Sequence, residues 1–142
     1  MARISTHILD VSRGTPAAGV GVELYRVTGG SRQLVSSGVT NADGRTAEPL
    51  LSEAALPDGV FELVFHAGPY FHALGVPLTD PPFLDCVVIR FGVAGKTGSY
   101  HVPLLLSLVP RCASENFSGM LISLSISGRV INRKAAKPSG SN

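Results

Sequence analysis

Charge is scarce in this chain. Only 15% of its 142 residues are Asp, Glu, Lys or Arg, and the formal net charge is +2. So small a balance gives no electrostatic footprint for a nucleic-acid partner. The one basic cluster, Arg129, Arg133, Lys134 and Lys137, reads as a solvated tail. Cysteine is equally sparse: Cys86 and Cys112 have no metal-type spacing, which leaves neither a zinc site nor a disulfide framework to build on. Long apolar runs are missing too. No stretch of about 18 uncharged apolar residues exists, so nothing is expected to span a membrane. The start, Met-Ala-Arg-Ile-Ser-Thr-His, has no apolar core of a secretory leader, and a reducing, cytoplasmic setting with free thiols is the expectation. The last residues, Ser139-Gly140-Ser141-Asn142, are not the Ser-Lys-Leu peroxisomal address, though a peroxisomal location stays open.

What is present is apolar and finely punctuated. The chain is 44% hydrophobic, with a mean hydropathy of +0.28. That is more apolar surface than one small domain hides easily, which points to burial between subunits. Helical periodicity is rare, and 16 Gly and 10 Pro divide the sequence into short pieces. About seven strands are expected. Ile4 to Val11 alternates, with Ile4, Thr6 and Ile8 on one face and Ser5, His7 and Leu9 on the other. Val20, Val22 and Leu24 line one face of a second strand. Thr28-Gly29-Gly30-Ser31 is a hairpin signal leading into a third strand over residues 33–39. Asn41-Ala42-Asp43-Gly44 turns the chain again.

Residues 50–56 read as a short helical turn or loop. Val60 to His66 is a strand with Phe61, Leu63 and Phe65 on one side. Residues 68–74 hold the one short helix, closed by Gly75. The apolar run from Leu84 to Phe91 suits a strand buried on much of both faces, with Cys86 an inert core thiol. Tyr100 to Leu106 is the next strand, and Pro103 confines it to an edge or bulge because it cannot donate to a ladder. Two packed antiparallel sheets with one short helix follow as the fold class, all-β.

The text changes after Ser107. Residues 108–142 are rich in Ser and poor in aromatics, and the stretch from about residue 132 is expected to be disordered. Ile122, Leu124 and Ile126 alternate with Ser123, Ser125 and Ser127. That piece reads as one more strand or as an exposed apolar segment, and the sequence does not choose between them.

Few residues carry chemistry. His7 and His101 sit on strands, and Arg45 follows a turn. Taken singly, each reads more readily as a structural residue than as a catalytic one. Taken together they suit acid–base hydrolysis of a small anionic amide or imide. Imidazole gains and loses a proton near neutral pH, and a guanidinium offers a fixed positive fork for an anionic ring or oxyanion. His66 and His72 flank the short helix without a metal-site spacing and read as structural or surface residues. There is no Gly-x-Ser-x-Gly elbow, and Gly29-Gly30 belongs to a hairpin rather than a phosphate loop.

Four ordered segments carry a family resemblance. They are Thr6-His7-Ile8-Leu9-Asp10, Gly14-Thr15-Pro16-Ala17, Asp43-Gly44-Arg45 and Tyr100-His101-Val102-Pro103-Leu104-Leu105-Leu106-Ser107. With Gly68-Pro69-Tyr70-Phe71, they resemble 5-hydroxyisourate hydrolase, the transthyretin-like enzyme of urate (purine) breakdown. The resemblance spans about residues 3 to 107. It implies a prealbumin-like two-sheet sandwich and a homotetramer with sites at subunit interfaces. It implies 5-hydroxyisourate as the small-molecule substrate and no cofactor or metal. By motif match, His7 and His101 are the catalytic residues and Arg45 holds the substrate. The domain division this gives is a hydrolase domain at 1–107 and a divergent tail at 108–142.

One departure stands against it. The family ends on a Tyr-Arg-Gly-Ser tetrapeptide that contributes to the site, and none occurs here. An altered final strand, as a splice form or frameshift would give, predicts weakened activity or assembly. The alternatives are an inactive isoform of the hydrolase and a transthyretin-like carrier of small ligands. The carrier branch generally lacks the histidine and arginine set.

Overall fold

The computed structural model describes residues 2–54, 56–78, 80–82, 85–94 and 98–107. The expectations for the tail, the alternating Ile122 to Ser127 segment included, lie outside the described residues, as does Cys112. The elements in chain order are β1 (Ala2–Asp10), β2 (Thr15–Pro16), β3 (Gly21–Thr28), β4 (Ser31–Val39), β5 (Leu51–Glu53), β6 (Gly59–His66), α1 (Ala67–Ala73), β7 (Cys86–Val93) and β8 (Tyr100–Leu106). Among the described residues no helix is long and apolar enough to cross a membrane.

The strands form the expected two-sheet sandwich. In the first sheet β1 pairs with β2, β5 and β8. The second runs β4-β3-β6-β7, antiparallel throughout. The β3–β4 hairpin turns where the glycine pair sits, with Thr28 opposite Ser31. One pairing departs from an antiparallel plan: β8 runs parallel to β1, from Ile4 opposite Tyr100 to Asp10 opposite Leu106. Parallel neighbours need a long crossover, and here the whole second sheet is that connection. Pro103 lies in β8, which among the described strands pairs with β1 alone, as an edge residue should.

Alternation decides which side chains fill the space between the sheets. Ile4, Ile8, Leu104 and Leu106 from the first sheet meet Leu24, Phe61, Leu63, Phe65 and Ile89 from the second in one buried cluster. Full burial of each is worth about 1.5–3 kcal/mol. The helix α1 adds Phe71 and Tyr70 to that cluster. It ends as expected, at Gly75 in the left-handed region, whose N–H donates to the His72 carbonyl. Among the described residues, no buried side-chain nitrogen or oxygen lacks a hydrogen-bond partner.

Two sequence expectations are corrected. Residues 51–53 form a short strand rather than a helical turn or loop, because β1 supplies a ladder from Ala2 opposite Glu53 to Ile4 opposite Leu51. The β7 strand is buried on one face only. Val87, Ile89 and Val93 are buried, whereas Cys86 and Arg90 are exposed and Val88 is 52% exposed. Cys86 is therefore not a core thiol. Strand period 2 puts it on the same outward face as Val88, which an unbroken apolar run conceals.

Candidate active site on the outward face of the first sheet

The face of β1 turned away from the core carries Ser5, His7 and Leu9, all half-buried, while Thr6 and Ile8 are buried. On β8 the same division puts His101, Pro103 and Leu105 half-buried and Val102, Leu104 and Leu106 in the core. The register sets Ser5 opposite His101 and His7 opposite Pro103. His7 and His101 are therefore diagonal neighbours on one face. The pairing is fastened on the core side, where Thr6 Oγ1 donates to the Val102 carbonyl at 2.7 Å.

Arg45 reaches this face through a turn docked on β1. The Asn41 N–H donates to the Arg45 carbonyl at 2.8 Å, and the Gly44 N–H to the Asn41 carbonyl at 2.9 Å. Asn41 Oδ1 also accepts from the Asp43 and Arg45 N–H groups, closing the turn on itself. Upstream, buried Thr40 anchors it: its Oγ1 donates to the Ala17 carbonyl at 2.7 Å and accepts from the Val20 N–H at 2.9 Å. The turn then inserts at Ile8. The Ile8 N–H donates to the Gly44 carbonyl at 2.8 Å, and the Ile8 carbonyl accepts from the Ala17 N–H. Gly44 has φ +73°, and a Cβ there would lie 2.2 Å from the Ile8 carbonyl oxygen. Only glycine lets the turn approach this closely.

The three site residues inferred from sequence come together. Arg45 Nη2 lies 3.4 Å from His7 Nδ1. A guanidinium only donates, so Nδ1 accepts and the His7 ring proton belongs on Nε2. His101 Nδ1 lies 2.9 Å from Ser5 Oγ. Burial, and then the positive fields of Arg45 and His7, push the His101 imidazole below its ordinary value. A histidine held neutral is suited to accept a proton.

Sequence reasoning missed the groups that hold this site. Ser5 was only a strand position, and the signal for it is register, which needs the partner strand. Asp10 is buried at the end of β1 and accepts from Tyr70 Oη at 2.8 Å, tying α1 to the first sheet. Burial, with that bond to Asp10, pushes the Tyr70 hydroxyl up to about 12. An acid at the inward position of an alternating strand was the available clue. His72 is exposed in the last turn of α1, away from the three site residues in sequence and element. Among the described residues no group of three His, Cys, Asp or Glu side chains could hold a metal ion.

Comparison with known proteins agrees with the architecture. The model of the HIUase/Transthyretin family matches residues 4–110. The chain belongs to that family. A 5-hydroxyisourate hydrolase 2 of Rhizobium meliloti is 50% identical over 105 residues, covering 74% of this chain and 88% of that protein. A 5-hydroxyisourate hydrolase of Deinococcus radiodurans is 51% identical over 104 residues, covering 73% and 87%. Among solved structures, the Klebsiella pneumoniae 5-hydroxyisourate hydrolase superposes with a TM-score of 0.61 at 36% identity, covering 75% of this chain and 90% of that one.

Proposed function

We propose that this chain hydrolyses 5-hydroxyisourate to 2-oxo-4-hydroxy-4-carboxy-5-ureidoimidazoline. The observation that supports it best is the convergence of His7, Arg45 and His101 on one half-buried face, in a chain about half identical to 5-hydroxyisourate hydrolases. In this reading Arg45 holds the anionic ring and the oxyanion that forms when water adds to the ring carbonyl. His101 is the base. When its Nδ1–H donates to Ser5, the Nε2 lone pair is left to take the proton from water. His7, with its proton on Nε2, is the donor to the leaving nitrogen in this reading. No step requires a covalent intermediate.

The remaining inferences belong to the same proposal. The working assembly is a homotetramer, which would cover apolar side chains left exposed, Val11 and Val39 among them. The hydrolase domain is residues 1–107, and the tail that follows lacks the family's Tyr-Arg-Gly-Ser. Turnover below that of chains with the tetrapeptide is expected.

A stopped-flow absorbance assay with 5-hydroxyisourate freshly made by urate oxidase tests the function. Decay well above the spontaneous rate, lost in His101→Asn, supports it. Decay at the spontaneous rate from folded protein defeats it, and light scattering on the same sample tests the tetramer.

A further inference from the structure

The second sheet carries a separate cluster on its own outward face. His66 ends β6 and lies opposite Cys86, the first residue of β7. Cys86 Sγ is 3.5 Å from His66 Nδ1, a hydrogen-bond distance for sulfur. The other ring nitrogen, Nε2, is paired with the Glu23 carboxylate on β3, and Tyr25 Oη donates to the same carboxylate. The chain thus presents a thiol, an imidazole and an acid in line, with the imidazole between the other two. A base oriented by a third group beside a nucleophile is the general arrangement for activating that nucleophile.

The surroundings hold this geometry open to solvent. Gly21 lies beside the ring, and a Cβ there would come within 3.2 Å of His66 Cδ2. The residue before the thiol is fixed, because the Gly68 N–H donates to the Asp85 carbonyl at 2.8 Å. The thiol itself is exposed, and the His66 side chain keeps 34% of its accessible surface. Tyr25 and then His66, both bonded to Glu23, hold its carboxyl below the ordinary carboxylate range. An ionised Glu23 needs a donor, so the His66 proton belongs on Nε2. That leaves the Nδ1 lone pair facing the sulfur.

Other charged groups near the thiol are Asp85 just before β7 and Arg32 on β4. Partial desolvation of the sulfur by its neighbours, then Asp85 and Glu23, push Cys86 above its ordinary value, and Arg32 opposes them. The thiolate is the attacking form, so attack depends on a base that takes the Cys86 proton first.

We propose that Cys86, His66 and Glu23 form a thiol-modification site at which Cys86 exchanges with a small, low-molecular-weight disulfide. His66 Nδ1 takes the Cys86 proton, and the thiolate so formed attacks one disulfide sulfur. The S–S bond of the small molecule breaks, and its departing sulfur takes that proton back from His66 as a free thiol. Cys86 ends oxidised in a mixed disulfide, one half of the small molecule ends reduced, and His66 returns neutral. The site is on the sheet opposite His7 and His101 and does not rest on the hydrolase reading.

The test uses the full chain with Cys112→Ser, so that Cys86 is the one thiol, and uncharged 2-hydroxyethyl disulfide as the probe. Mass spectrometry of the intact protein follows the mixed disulfide with time. Addition of one hydroxyethylthio group is expected, at a rate that falls roughly tenfold or more in His66→Gln. Below the thiol's own titration the wild-type rate levels off, whereas the variant's rate follows thiolate alone. Glu23→Gln keeps the ring but frees its tautomer, and it is read in place of His66→Gln if that variant melts early. A slower rate in either folded variant supports the site. A folded variant reacting at the wild-type rate with the wild-type pH profile overturns it, as does a native protein whose Cys86 reacts only after unfolding.

Discussion

The two outward faces of this sandwich use histidine in opposite ways. On the first sheet, His7 and His101 have no carboxylate partner among their described contacts. Their neighbours are Arg45 and Ser5. On the second sheet, His66 is paired with Glu23, and the face continues into Glu62 bridged by Arg90 at 2.7 Å and Arg32 at 3.4 Å. The same side chain on the same scaffold thus lies beside a guanidinium or a hydroxyl on one side and is paired with an acid on the other. Beside His101 the positive setting favours the neutral imidazole. A carboxylate beside the ring fixes its tautomer and directs its free nitrogen to a nearby thiol.

The sharpest test sets one face against the other. His101→Asn should lower kcat/KM for 5-hydroxyisourate by about 10²- to 10⁴-fold, the usual weight of a general base. Arg90→Gln, on the second sheet, should leave turnover unchanged. Equal losses in steady-state assays of the two would erase the distinction. Next in size is Arg45. Arg45→Ala should cost about 10- to 100-fold in kcat/KM through loss of the charged fork, and Arg45→Lys should recover part of it. Full recovery by lysine would mean that charge alone matters there.

Gly44→Ala probes the placement of that arginine. A methyl against the Ile8 carbonyl and a strained φ should cost about 1–3 kcal/mol. At about 4 °C per kcal/mol for a domain of this size, calorimetry should show a clear fall in Tm. An unchanged melting point would show that the turn can lift from β1 without penalty.

Ser5→Ala is a smaller change, about 1 kcal/mol for one hydrogen bond, and therefore a several-fold loss in kcat/KM. The pH profile adds to it. His101 lies below 6.5, so the acid limb of activity should also fall below 6.5. The sign for stability follows from the same shift: the unfolded chain binds the proton more readily, so stability is lost as pH falls from the ordinary value to the folded one. A limb at or above 6.5 would remove His101 as the base.

Smallest is the ion-pair grid of the second sheet. Arg90 first, with Arg32, holds the Glu62 carboxyl below its ordinary 4.5. Its stabilising effect is present above 4.5 and is lost as pH falls through the lower folded value. Thermal melts of Glu62→Gln and wild type should differ at pH 7 and converge in acid, and a gap that persists in acid would contradict this account.

The alternation of Ile4, Thr6 and Ile8 exposed the first strand in the sequence, because one face of it is core and the other is not. The Gly29-Gly30 hairpin and Gly75 helix stop were legible for the same local reason: each needs a backbone shape few residues adopt. His7, Arg45 and His101 were legible only as motifs, since nothing local brings residue 7 to residue 101. Ser5 was invisible, because its partner is set by the β1–β8 register. The β5 strand was missed because β1 makes it a strand. Cys86 was misplaced because valine and isoleucine on both sides of β7 hide its period.

The parallel pairing of β1 with β8 has a consequence in time. Ser5 and His101 are separated by 96 residues, and almost the whole described chain lies between them. As the polypeptide is synthesised, β1 emerges first, and β8, its parallel neighbour, is made only after every strand of the β4-β3-β6-β7 sheet. Closing so long a loop is slow, and it comes after the local contacts that lower its entropy cost. The histidine face can therefore close only once residue 101 has been made, and it depends on the longest-range pairing among the described strands.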